Sequence, residues 1–133
     1  MGLDMYLFGH KLLWVDKAPA RTEDGYTIDA IHIELGYWRK HPNLHGYIVE
    51  HFAEGVDECQ EIALDASAIE QIITAVMTKT LPTTEGFFFG VSDDTVEQVS
   101  EDCRILRGAL EWLNADKSAP DEYMRSAYYQ ASW

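Results

Sequence analysis

The sequence is poor in basic residues, in cysteine and in long apolar segments, and each shortage excludes a class of protein. Ten Lys and Arg stand against 23 Asp and Glu, so the formal net charge is −13. This charge opposes binding to a nucleic-acid backbone, because a polyanion would have to approach a negative surface. Basic protein surfaces are better-matched partners, although an acidic surface also serves solubility alone.

The cysteine content and the N-terminal sequence both bear on localisation. Cys59 and Cys103 are too few for a disulfide framework, and neither lies in a CxxC or Cys/His cluster. Both are interpreted as reduced thiols, which is consistent with the cytoplasm. The first 15 residues, MGLDMYLFGHKLLWV, have no basic start, and Asp4, His10 and Lys11 interrupt their apolar character. We therefore expect neither a signal peptide nor a membrane span.

Period-two alternation of apolar and polar residues predicts the strands. One strand begins near residue 3, Gly9-His10 interrupts it, and Lys11 to Val15 form a second short strand. Residues 16–26 are predicted to be a long loop. The strongest candidate runs from Thr27 to Trp38. Its buried face is predicted to hold Ile31, Ile33, Leu35 and Tyr37, and its other face His32, Glu34, Gly36 and Trp38.

Apolar residues at helical spacing predict three helices. The first covers residues 42–53 with Pro42 in its first turn, and Gly46 inside it indicates a close neighbour. The second follows a cap at Asp65 or Ser67 and ends near residue 80. The third and longest covers residues 92–114, with Ser92 or Asp93 as its cap. A short strand is expected over residues 60–64, and a buried strand or tight loop over residues 86–90.

This order of elements predicts one α+β domain over residues 1–133, a small, mainly antiparallel sheet covered on one face by three helices. The longest helix lies near the C-terminus. The tail over residues 118–133 can form a C-terminal extension with a helical turn or two. At 133 residues and 47% hydrophobic content, the chain is large enough for a single core.

The segment from residue 34 to residue 51 is the main candidate site. In one interpretation, the Arg39 guanidinium binds a phosphate through two hydrogen bonds, Lys40 adds positive charge and Trp38 stacks on a base. His45 is the one plausible proton carrier of this site. These residue types favour a phosphate-bearing nucleotide. In the alternative, Trp38 belongs to the core and the two cations pair with carboxylates of the chain. Strand alternation leaves both placements of Trp38 open, with burial slightly favoured.

Other candidates for chemistry are weaker. His41 and His45, with Glu50 or His51, suggest a metal site, but Pro42 places His41 at the helix cap and no other ligand has suitable spacing. We therefore expect no metal and no cofactor. Asp57, Glu58 and Glu61 surround Cys59, and acidic neighbours make a thiol a poor nucleophile. No catalytic residue is assigned from the sequence.

Several motifs together resemble a family of small uncharacterised proteins of bacteriophages and bacteria, some labelled phosphoglycerate kinase. The motifs are MGLDMYL at residues 1–7, GYWRK at 36–40 with His45, DEC at 57–59, LPT at 81–83 and GFFFG at 86–90. In relatives, the motif that contains the histidine continues as an uninterrupted helix. In this chain Pro42, Gly46 and Tyr47 intervene. The resemblance implies no established activity, and the kinase label requires two large domains and a phosphate loop that are missing.

Charge and resemblance together predict a non-catalytic, acidic, phage-type protein that binds and inhibits a host protein, for example one of a defence system. The predicted contact face combines the residues near Cys59 with the first half of the third helix. It comprises Asp57, Glu58, Glu61, Asp93, Asp94, Glu97 and Glu101. The alternative is a protein that binds or processes a phosphate-bearing nucleotide at Trp38, Arg39, Lys40 and His45.

Overall fold

The computed structural model describes residues 2–14, 21–86, 89–115 and 122–133. The strands are β1 (Asp4–Leu13), β2 (Thr22–Glu23), β3 (Tyr26–Thr27), β4 (Ala30–Arg39), β5 (Ile62–Ala63) and β6 (Glu122–Ser132). The helices are α1 (Pro42–Phe52), α2 (Ala66–Met77) and α3 (Val96–Asn114).

Four strands form one antiparallel sheet in the order β4-β1-β6-β5. The three helices share a core with one face of this sheet, to which β1 contributes Leu3, Met5 and Leu7. The other face carries half-buried and exposed aromatic side chains, among them Tyr6 and Phe8, whose rings stack with centroids 5.4 Å apart. The predicted α+β class, a mainly antiparallel sheet with three helices, is confirmed.

Strand β1 continues through the glycine that was expected to interrupt it. Gly9 lies on the helix side of the sheet, where an added Cβ would come within 2.8 Å of the Trp112 ring. The glycine therefore allows α3 to approach the strand, and a single strand reaches Leu13. The prediction of two short strands was wrong because a glycine that permits close packing has the same sequence signature as one that ends a strand.

A β-bulge in β4 reverses the predicted faces at the end of that strand. Leu7 pairs with Gly36 and Phe8 pairs with Glu34, so Leu35 is an extra residue. Beyond it, Trp38 is turned into the core at 5% exposure, while Tyr37 faces outward at 41%. The predicted burial of Tyr37 was wrong, since alternation fails where two residues oppose one.

The three helices lie close to their predicted ranges. Pro42 occupies the first turn of α1, and Asp65 caps α2 by accepting a hydrogen bond from the Ala68 N–H. The cap of α3 is Thr95 rather than Ser92 or Asp93, because its hydroxyl accepts the Gln98 N–H over 3.2 Å. Ser92 is engaged elsewhere, as described below.

Two further segments differ from expectation. The tail forms strand β6 instead of a helical turn, and it lies inside the sheet between β1 and β5. Part of the expected loop at 16–26 is a hairpin of β2 and β3 around Asp24-Gly25, both with positive φ, and residues 15–20 lie outside the described residues. In the aromatic segment, Phe89 is buried and its N–H bonds the Gly86 carbonyl as in a tight turn, while residues 87–88 are not described.

Within the described ranges, no helix combines the length and the apolar character needed to cross a bilayer.

Candidate functional site

Trp38 lies in the core, which was the slightly favoured of its two predicted placements, and not on the surface where the nucleotide alternative required it to stack on a base. Its indole N–H donates a hydrogen bond to Asp102 Oδ1 over 2.9 Å, and both side chains are buried. The bond joins the end of β4 to α3. No open aromatic face is therefore presented by Trp38.

Arg39 and Lys40 lie near each other at Gly2, where an added Cβ would be 3.1 Å from Arg39 Nη2 and from Lys40 Cε. Arg39 Nη1 lies 3.4 Å from Asp4 Oδ1, which also accepts the Tyr37 hydroxyl over 2.5 Å on the outer side of the sheet. Lys40 has a positive φ of 53°, and an added Cβ at Gly90 would lie 3.1 Å from its own Cβ. Neither cation, nor Trp38, is among the residues that line the cavity beside His45.

His45 is the centre of a buried network at the first turn of α1. It is 2% exposed; its Nδ1 lies 2.6 Å from the Tyr129 hydroxyl, and its Nε2 lies 3.0 Å from each oxygen of Asp57. Burial, and next the negative charge of Asp57, raises the pKa of Tyr129 well above its usual value of 10.0. The phenol therefore stays protonated and donates to Nδ1, which leaves the Nε2–H to donate to Asp57.

Aromatic rings enclose the His45 ring on its remaining sides. Phe89 and Trp133 present T-shaped contacts with centroids 5.3 and 5.7 Å from it. These rings come from the GFFFG motif and the last residue of the chain, so segments distant in sequence fix one imidazole. The arrangement leaves the Asp57 carboxylate, at 31% exposure, as the outward end of the network.

A cleft of about 390 Å³ opens beside the His45–Asp57 pair. Its lining combines His45 with Asp57 of the DEC motif, Pro82 and Thr83 of LPT, and Phe89 of GFFFG. The fold therefore brings residues of three separate sequence segments, DEC, LPT and GFFFG, to His45. We take this cleft as the candidate functional site because polar and titratable side chains converge in it.

Gly46 permits the wall of this cleft to form. An added Cβ at Gly46 would lie 2.0 Å from Thr84 Oγ1, and the Thr84 N–H donates to Asn43 Oδ1 over 3.0 Å. The segment after α2 is thereby held against α1 over its first two turns. The close neighbour predicted from a glycine inside the helix is confirmed.

The cleft is negatively charged. Carboxylates of Glu50, Asp57 and Glu85 line it, and none of the described residues in its lining is Lys or Arg. Thr83 and Thr84 add hydroxyl groups, and Phe89 adds an apolar surface. Such a lining suits a cation with an apolar stem better than it suits a phosphate.

The other predicted partner-binding residues lie on the surface. Glu58 and Glu61 are exposed near β5, and Glu61 lines a different cavity with His10, His32 and Tyr128. On the loop before α3 and along its first half, the exposed acids are Asp93, Asp94, Glu97 and Glu101. Glu101 is hydrogen-bonded to Arg104 over 2.5 Å, and this bond lowers the pKa of its carboxyl.

A second buried histidine was not predicted to take part in a site. His41 is the N-cap residue of α1, as Pro42 predicted, but its ring makes two short hydrogen bonds. Nδ1 lies 2.7 Å from Ser92 Oγ, and Nε2 lies 2.7 Å from Asp102 Oδ2. The Ser92 oxygen also accepts the Asn43 backbone N–H over 2.9 Å. Sequence spacing gives no signal for this chain, because its members are 51 and 61 residues apart.

The described residues contain no group of three or more His, Cys, Asp or Glu side chains arranged to hold a metal ion. Comparison with protein-family models, with curated proteins and with solved structures gives no match.

Proposed function

We propose that the chain binds a protein with a basic surface, and that a Lys or Arg side chain of the partner enters the cleft beside His45 and Asp57. The observation that supports this most is the lining: three carboxylates, two threonines and Phe89, with His45 fully engaged behind them. The charged group of an incoming side chain would meet Asp57, and its apolar stem would lie along Phe89.

The charge of the whole chain supports the same partner. A net charge of −13 produces a negative field that speeds the approach of a basic surface and weakens with salt. Of the predicted contact residues, Asp57 lines the cleft, whereas Glu97 and Glu101 stand exposed on α3. In this proposal Asp57 makes the specific contact, and the α3 acids contribute to long-range attraction.

The resemblance to phage proteins adds a source for the partner. We propose that it is a host protein, possessing a basic functional surface, and that occupying this surface inhibits it. This part of the proposal depends on the resemblance alone.

A nucleotide site has less support. A phosphate in the cleft would meet the carboxylates of Glu50, Asp57 and Glu85, and such contacts are repulsive. Trp38 is buried and hydrogen-bonded to Asp102, so a base has no indole face on which to stack.

The test is capture of partners from host lysate, followed by binding measurements with the purified partner. Asp57→Asn and Glu85→Gln remove cleft charge with little change of shape, and Glu97→Gln removes one charge from α3 as a matched control. We expect each cleft variant to weaken binding by at least tenfold, mainly through faster dissociation, since a desolvated charge pair is lost. The α3 control should change only the association rate.

Equal affinity of the cleft variants and the parent protein would reject the cleft as the contact. Affinity that does not change between low and high salt would reject the basic partner itself. Folding of each variant is checked by thermal denaturation, because Asp57 also accepts the hydrogen bond of His45.

A further inference from the structure

The side chains of Ser92, His41 and Asp102 are connected in the order of a nucleophile, a base and an orienting carboxylate. The Ser92 hydroxyl contacts His41 Nδ1 and the Asp102 carboxylate contacts His41 Nε2, both over 2.7 Å. The two ring nitrogens are used in the reverse of the arrangement known from serine proteases, but each has the same kind of partner. The three residues are separate from the His45 cleft.

The proton positions in this chain follow from its other hydrogen bonds. Asp102 Oδ1 accepts the Trp38 indole N–H over 2.9 Å and the Gln98 side-chain N–H over 2.8 Å. The carboxylate is an acceptor throughout, so His41 Nε2 carries a proton and donates it to Oδ2. In a neutral ring Nδ1 is then an acceptor, and the Ser92 hydroxyl donates to it. A serine hydroxyl bonded to an unprotonated imidazole nitrogen is the resting state of an activated nucleophile.

Ser92, at one end of these hydrogen bonds, lines a cavity of about 200 Å³. Its lining includes His41, Asn43, Ser92 and Asp102, together with Lys79, Asp93 and Asp94. The cavity lies at the N-terminus of α1, where the Asn43 N–H already points at Ser92 Oγ. An oxyanion formed next to Ser92 would therefore develop at the positive end of a helix dipole.

We propose that Ser92 is a nucleophile that hydrolyses small esters, and that the acids at the cavity favour an ester carrying a positive charge. Asp93, Asp94 and Asp102 supply three negative charges against one from Lys79. This balance favours a cationic substrate and disfavours a carboxylate or phosphate ester.

The reaction needs only water as a co-reactant. Ser92 Oγ attacks the carbonyl carbon and its proton passes to His41 Nδ1, while Asp102 stabilises the doubly protonated ring. The ester C–O bond breaks, the leaving alcohol takes the proton from His41, and an acyl-Ser92 remains. Water then attacks this acyl group, His41 accepts the proton of the water, and the bond to Oγ breaks. Ser92 regains its proton from His41, and the acid is released.

The first measurement requires no variant. The intact chain is treated with a fluorophosphonate, an electrophile that modifies activated serines, and the labelled peptide is identified by mass spectrometry. We expect label at Ser92 and none at Ser100. Ser100 is exposed on α3, but it does not belong to the Ser92–His41–Asp102 network that would activate a hydroxyl. Label on no serine, or equal label on Ser92 and Ser100, would overturn the proposal.

The second measurement is turnover of an alkyl acetate ester that ends in a trimethylammonium group, and of the neutral ester with the isosteric tert-butyl group in its place. Ser92→Ala should abolish turnover, His41→Gln should lower it by about 10²- to 10⁴-fold, and Ser100→Ala should not change it. Turnover that survives in Ser92→Ala would reject Ser92 as the nucleophile. A preference for the neutral ester would reject the proposed substrate class.

Discussion

The indole N–H of Trp38 and the carboxylate of Asp102 are joined by a buried hydrogen bond of 2.9 Å. The bond links the end of β4, beyond the bulge at Leu35, to the second turn of α3. It also orients Asp102, whose other oxygen lies 2.7 Å from His41 Nε2. One buried carboxylate thus connects β4, α3 and the start of α1.

Substitution of Trp38 tests this connection. Trp38→Ala should lower the free energy of unfolding by about 3–5 kcal/mol, since a large buried ring is removed from the core. Trp38→Phe keeps most of the apolar volume but leaves Asp102 without one donor, and should cost less. Chemical denaturation measures both, with Trp14→Phe as the control, since Trp14 is 41% exposed. A Trp38→Ala protein within about 1 kcal/mol of the parent would contradict burial of Trp38.

Gly46 and Gly108 form a matched pair of helical glycines. Alanine usually stabilises a helix interior by about 1 kcal/mol relative to glycine, and this is expected for Gly108→Ala, where an added Cβ meets nothing within 4 Å. Gly46→Ala should instead destabilise by about 1–3 kcal/mol, because its Cβ would meet Thr84. Thermal denaturation of the two variants should give shifts of opposite sign. A Gly46→Ala variant that is as stable as the parent, or more stable, would show that the 82–85 segment does not pack on α1.

The raised pKa of Tyr129 predicts a loss of stability in alkali. The unfolded chain releases the Tyr129 proton above about pH 10, whereas the folded chain retains it, so the free energy of unfolding falls as pH rises beyond that point. The slope from one such group reaches about 1.4 kcal/mol per pH unit. Below pH 10 the contribution is complete and constant.

Tyr129→Phe provides the measurement for that prediction. The variant should lose about 1–3 kcal/mol at neutral pH, because His45 Nδ1 is left buried without its donor. Above about pH 10 its stability should fall less steeply than that of the parent. Tyr123→Phe serves as the control, since Tyr123 is 53% exposed. Parallel pH profiles for Tyr129→Phe and the parent would contradict the assignment.

The caps of α2 and α3 give a test of helix boundaries. Asp65→Ala and Thr95→Ala should each lower the free energy of unfolding by about 1 kcal/mol, since each side chain accepts an otherwise unpaired amide N–H. Ser67→Ala, one residue inside the first turn of α2, is the control and should change stability by less than about 0.5 kcal/mol. A Thr95→Ala variant as stable as the parent would show that Thr95 is not the residue that caps α3.

The local sequence pattern determined the three helices, each of which buries one face and exposes the other. The helices α1, α2 and α3 were predicted from 3.6-residue periodicity, together with Pro42 and Asp65, because amphipathic spacing and capping act within a few residues. The α+β class followed from the order of those elements. Gly46 also predicted its own close neighbour, since a helical glycine is costly unless something occupies the space.

The tertiary structure decided what depends on distant partners. The bulge at Leu35 turned Trp38 inward and Tyr37 outward, and a pairing register between β1 and β4 is not written in either strand alone. The tail became β6 because β1 and β5 offer it backbone hydrogen bonds on both sides. His45, Asp57 and Phe89 belong to three separate segments that the sequence analysis singled out, but only the tertiary structure brings them into one cleft. It also joined Ser92, His41 and Asp102, whose separations of tens of residues carry no local signal.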